Sequence, residues 1–120
     1  MQTPQTPSQK SALHKLPCEP CNSGSITLNR TQAQQLLQDI PQWNLTEDAT
    51  WLERRFHFQD YAHTVAFVQK VATLAEAQGH HPDISFTWGK CHIRIQTHKI
   101  HGLHKNDFIL AARINQISQT

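Results

Sequence analysis

The pattern of apolar residues predicts an α+β fold: a single domain of order α-β-β-α-β-β-α, with a four-stranded antiparallel sheet and three helices on one face. Three observations carry that prediction. Two stretches alternate apolar and polar side chains, and each pairs through a short turn with a second strand. Three others space their apolar residues as helices do. The chain has 120 residues, 38% of them hydrophobic, which suffices for one core and not for two.

Asn29 or Thr31 caps a first helix over Gln32 to Ile40, with Leu36, Leu37 and Ile40 as its apolar stripe and Pro41 as its stop. Trp43 to Leu45 reads as a short strand and Glu47-Asp48 as a turn. From Trp51 to Phe58, Leu52, Phe56 and Phe58 share one face and Glu53, Arg55 and His57 the other, the mark of a half-buried strand. Asp60 caps the longest helix, Tyr61 to about Gln78, whose apolar face is Val65, Phe67, Val68, Val71, Ala72 and Ala75. Gly79 ends it and Pro82 prevents continuation.

A second hairpin follows. Ile84, Phe86 and Trp88 share a face; beyond a turn at Gly89-Lys90, so do Cys91, Ile93, Ile95 and Thr97, with His92, Arg94, Gln96 and His98 opposite. Gly102 breaks the chain. A last helix runs from about Lys105 to Ile117 on Phe108, Leu110, Ala111, Ile114 and Ile117, with Asp107 in its first turn.

The net charge of +2 is scattered rather than striped, so nothing in it demands a nucleic-acid partner. No apolar run approaches the roughly 20 residues of a membrane span. The first fifteen residues lack the apolar core of a secretory signal, and a cytoplasmic location is expected. Residues 1–25, rich in Pro, Gln, Thr and Ser, read as a disordered or loosely docked tail ahead of a domain over 26–120. The tail carries Cys18 and Cys21 as one C-x-x-C, half of a zinc site with no second pair to close it. Three cysteines without an export signal make a disulfide framework unexpected.

The chemistry gathers between Glu76 and Asp107, which hold six of the nine histidines. Imidazole titrates nearest neutrality, so histidines at element ends beside carboxylates fit proton transfer or metal binding. Metal is disfavoured: adjacent His80 and His81 point apart on an extended segment, His98, His101 and His104 straddle a strand end and a glycine, and H-E-x-x-H is absent. His14, His57, His63, His92 and His104 read as solvated or core-satisfied side chains. Nucleophilic schemes have little support, because Cys91 alternates onto the buried face and no G-x-S-x-G occurs.

The run Glu76-x3-His80-His81-Pro82-x5-Trp88-x9-His98-x8-Asp107 resembles the signature of pterin-4a-carbinolamine dehydratases at every defined position over 32 residues. The pattern from Trp43 to the C-terminus is similar too, and Gly102 to Phe108, GLHKNDF, most resembles bacterial members associated with phenylalanine hydroxylase. The resemblance implies dehydration of 4a-hydroxytetrahydrobiopterin to the quinonoid dihydropterin, within tetrahydropterin recycling for aromatic amino acid hydroxylation. It implies His80, His81 and His98 as the acid/base set, with no metal and no cofactor, the pterin being the substrate. Glu76, one helical turn before His80, is then expected to orient that ring, and Asp107 to steady His98 or simply to cap its helix. Gly79 to His81 and Gln96, Thr97, His98 and Lys99 are expected to hold the pterin's amide-like edge, and Trp43 or Trp88 to stack on it or, with better reason, to pack in the core.

One departure stands out: His104 occupies a position where many members carry Ser or Thr, and it is a poorer cap for the last helix. The implied partners are the hydroxylase, a dihydropteridine reductase and further copies of the chain in a homodimer or homotetramer. The competing reading is a regulatory or assembly partner on the same fold, as in animal members that act as transcriptional cofactors.

Overall fold

The computed structural model describes residues 12–15 and 27–119. Its elements are α1 (Arg30–Leu37), β1 (Asn44–Leu45), β2 (Leu52–His57), α2 (Tyr61–Gln78), β3 (Asp83–Thr87), β4 (Lys90–Ile95) and α3 (Lys105–Ser118), the expected order. The strands form one antiparallel sheet in the order β1-β2-β4-β3. Leu52 and Phe56 of β2 and Cys91, Ile93 and Ile95 of β4 are buried under the helices, while Glu53, Arg55, His57, His92 and Arg94 face the other way.

Local chemistry sets the ends. Asn29 caps α1, its side chain accepting from the Gln32 amide at 2.8 Å while Gln32 returns the bond to the Asn29 amide at 2.9 Å. Helix α1 therefore starts at Arg30, and it tightens into i→i+3 turns beyond Leu37, short of the expected Ile40. Asp60 caps α2 through the His63 amide at 2.8 Å. The buried line of α2 is Thr64, Phe67, Val71 and Ala75; Ala72 is exposed, since a helix on a sheet buries a narrower stripe than its apolar residues define.

Of the aromatic expectations, core packing of Trp43 holds, while its place in the first strand and the settings of Phe86 and Trp88 change. Trp43 lies outside β1, buried in the core, with Nε1 donating to Asn115 Oδ1 at 2.7 Å. Phe86 shares its face with Cys91 and Ile84 with Ile93, yet Phe86 is 42% exposed because β3 is the sheet edge and the α2 ring lying against it, Tyr61 at 6.1 Å, is itself half exposed. Trp88 sits in the hairpin turn, 63% exposed, and is neither strand nor core. Gly89 at φ 74° closes that turn, where a side chain would meet the Phe58 carbonyl at 3.0 Å.

Within the expected tail, Ala12–Lys15 forms a short 3-10 turn against α3, with Leu13 buried in the core. Cys18 and Cys21 lie outside the described residues. No helix among the described residues is long and apolar enough to cross a membrane.

Candidate active site

The end of α2 sets the geometry. Gly79 takes the left-handed conformation at φ 66°, and its amide and that of His80 close back on the last turn of the helix, His80 reaching the Ala75 carbonyl at 3.1 Å. A Cβ there would meet nothing within 4 Å, so glycine serves backbone conformation rather than space. The left-handed step swings His80 off the side of α2 that carries Glu76 and brings His81 onto it. Glu76 Oε1 thus meets His81 Nε2 at 2.8 Å, and not His80 as the helical spacing predicted. Helical i,i+4 geometry holds only while the helix lasts.

His80 turns inward instead. Its Nε2 lies 2.6 Å from Asp107 Oδ1, with the His80 side chain 12% exposed and Asp107 fully buried. Asp107 Oδ2 accepts from the Thr97 hydroxyl at 2.8 Å and from the His104 amide at 2.8 Å. One carboxylate therefore ties the residue after Gly79, the second residue after β4 and the first turn of α3 together. The expected pairing of Asp107 with His98 is replaced by pairing with His80; the helix-capping role is present as well, on the second oxygen. His104 caps in turn, its Nδ1 accepting from the Asn106 amide at 3.1 Å, so an imidazole does the work of a hydroxyl there.

His98 opens a 3-10 turn, His98–Ile100, one residue beyond Thr97, and is exposed. Its ring meets Trp51 edge-on, centroids 5.8 Å apart at 73°. Gln96 donates to the Thr50 carbonyl at 3.1 Å, and Lys99 lies exposed in the turn. Sequence reasoning passed over Trp51. The available signal was its parity: it falls on the polar face of the alternating strand, with Glu53, Arg55 and His57, where the core has no use for an indole.

Chemically, each carboxylate fixes a proton on the facing Nε2 and leaves Nδ1 of the same ring as the atom able to take or return a proton. Among the described residues, no three His, Cys, Asp or Glu side chains converge as metal ligands. Cys91 is buried, and burial pushes its thiol up to about 11. His63 is bound to the cap residue Asp60 at 2.7 Å, and His92 to Glu53 at 3.0 Å on the open sheet face.

The end of α2 thus presents two imidazoles, each held by a carboxylate, and the turn after β4 presents a third against an indole. The family model described as pterin 4 alpha carbinolamine dehydratase matches residues 26–117, and the chain belongs to that family. A Methylococcus capsulatus protein named "Putative pterin-4-alpha-carbinolamine dehydratase" is 46% identical over 101 residues, covering 84% of this chain and 89% of its own. A Halorhodospira halophila protein of the same name is 47% identical over 100 residues, covering 83% and 92%. Among solved structures, a transcriptional coactivator/pterin dehydratase from Brucella melitensis shares the fold, with a TM-score of 0.72 at 23% identity, covering 77% of this chain and 98% of its own. A pterin dehydratase-like protein identified as a RuBisCO assembly factor in the alpha-carboxysome aligns with a TM-score of 0.57 at 29% identity, over 65% of this chain and 90% of its own.

Proposed function

We propose that this protein accelerates loss of water from 4a-hydroxytetrahydrobiopterin, with His80, His81 and His98 as the general acid and base groups. The C4a hydroxyl is a poor leaving group and leaves as water once protonated. The N5 lone pair forms the new C4a=N5 bond, and N5 gives up its proton to a base. The two protons balance, and no electron acceptor enters, so the reaction needs only groups that titrate near neutrality around one ring. Asp107 and Glu76 orient His80 and His81, while the segments Gly79–His81 and Gln96–Lys99 hold the ring's amide-like edge.

The observation that carries this reading is Asp107, which binds His80 through one oxygen and the residue preceding His98 through the other. In the cell the product returns through a reductase to an aromatic amino acid hydroxylase, phenylalanine hydroxylase foremost, in the cytoplasm. The protein works as a homodimer or homotetramer, a reading supported by the exposed Tyr61, Phe86 and Trp88 at the β3 edge of the sheet. Light scattering on the eluting species measures the oligomer.

The deciding experiment generates the carbinolamine with phenylalanine hydroxylase and follows its ultraviolet decay with and without this protein. Acceleration is expected. His80→Ala combined with His98→Ala lowers the rate about 10²- to 10⁴-fold in a folded sample. A folded wild-type sample with no acceleration selects the alternative, a regulatory or assembly partner on the same fold, the role that the name of the carboxysomal neighbour gives to that protein.

A further inference from the structure

Of the three imidazoles, His98 alone meets an indole in place of a carboxylate, and that indole opens onto a hollow. Trp51 touches the His98 ring edge-on, and the Arg94 guanidinium carbon lies 4.3 Å over the Trp51 ring. Trp51 and Arg94 are two walls of an open hollow of about 490 Å³, completed by Thr46, Glu47 and Asp48. The floor is stiff. Asp48 Oδ1 accepts from Thr46 Oγ1 at 2.9 Å, Thr50 Oγ1 at 2.7 Å and the Thr50 amide at 3.2 Å. Ala49 holds φ 60°, the Arg30 guanidinium binds the Glu47 carbonyl, and Gln96 ties the Thr50 carbonyl to the end of β4.

Resting on the dehydratase reading, we propose that this hollow is the subsite for a hydroxylated substituent on the pterin ring. With the reacting ring against His98, the substituent passes over Trp51 into the hollow. Asp48 Oδ1 is already filled by three donors, so recognition falls to Arg94 as donor and to Glu47 and Asp48 Oδ2 as acceptors. Arg94 Nε stands 3.9 Å from Glu53, beyond hydrogen-bond length, and Glu53 takes its closer bond from His92 at 3.0 Å. A vicinal diol both donates and accepts, and it satisfies both kinds of group. An alkyl substituent satisfies neither and forgoes both hydrogen bonds. A preformed wall also spares the ligand the ordering of a loop.

The test uses two carbinolamines with the same reacting ring, one bearing a dihydroxypropyl substituent and the other a methyl group. The wild type is expected to favour the hydroxylated substrate about tenfold in kcat/KM, through KM, a discrimination worth about 1.4 kcal/mol. Trp51→Leu and Arg94→Gln, both on the open sheet face, bring that ratio toward one. A wild-type ratio near one, or a ratio that neither variant moves, overturns the subsite while leaving the dehydratase reading intact.

Calorimetric titration with the corresponding unreactive dihydropterins reads the same preference without turnover. Substituent-dependent binding with no accelerated dehydration keeps the subsite and overturns the reaction. Equal affinities for the two dihydropterins overturn the subsite.

Discussion

The two histidine–carboxylate pairs at the end of α2 are nearly the same length, 2.6 Å for His80–Asp107 and 2.8 Å for His81–Glu76, and differ in almost everything else. Asp107 is fully buried and its partner 12% exposed; Glu76 is 82% exposed and His81 64%. Water can replace either partner of the outer pair at once, so the bond there is worth little to the fold and serves only to bias the orientation of a ring. In the inner pair no water waits. Asp107 holds three donors from three elements, and its loss strands all of them in the interior. Distance alone says nothing about how much an ion pair matters; its surroundings decide.

The largest expected effect tests that contrast directly. Asp107→Ala should destabilise the protein by about 3–5 kcal/mol, the range for breaking a buried pair by removing one partner, as read by urea denaturation. Equal midpoints for Asp107→Ala and Glu76→Ala would erase the distinction. Thr97→Val sharpens it. That change removes one of the two donors on Asp107 Oδ2 and should cost about 1–2 kcal/mol, with loss of dehydration rate as the His80 ring loosens.

A third measurement separates burial from pairing. Cys91 is buried with its thiol raised to about 11, while in the unfolded chain it ionises near its ordinary value of 9.0. Its contribution to stability is complete below pH 9 and is lost as the pH rises from 9 to 11, where the unfolded state has released a proton that the native state still holds. Denaturation midpoints should fall across that window, and Cys91→Ala should flatten the slope. The smallest effect belongs to the outer pair. Glu76→Gln should change stability by less than about 0.5 kcal/mol in the same urea titration, so any fall in dehydration rate reports on orientation of His81 alone.

The two faces of the sheet teach a related lesson about legibility. Alternation put Phe86 with Ile84 on one face of β3, and the register sets that face beside Cys91 and Ile93. Alternation assigns a face, however, and not a depth, and at the sheet edge Phe86 meets the half-exposed Tyr61 at the start of α2 and stays 42% exposed. Trp51 shows the converse: its parity placed it among polar side chains, and its contact with His98 arises from where the end of β4 turns.

By itself the sequence determined the order of helices and strands, the cap at Asp60, the left-handed stop at Gly79 and the family. Each of these rests on local periods, on backbone preferences of a few residues, or on a spaced motif. Only the tertiary structure decided which carboxylate serves which imidazole. That choice depends on one positive φ at Gly79, which rotates the next two side chains into new directions, and on packing that brings Asp107 to a histidine 27 positions earlier in the chain. Spacing along a chain measures neither.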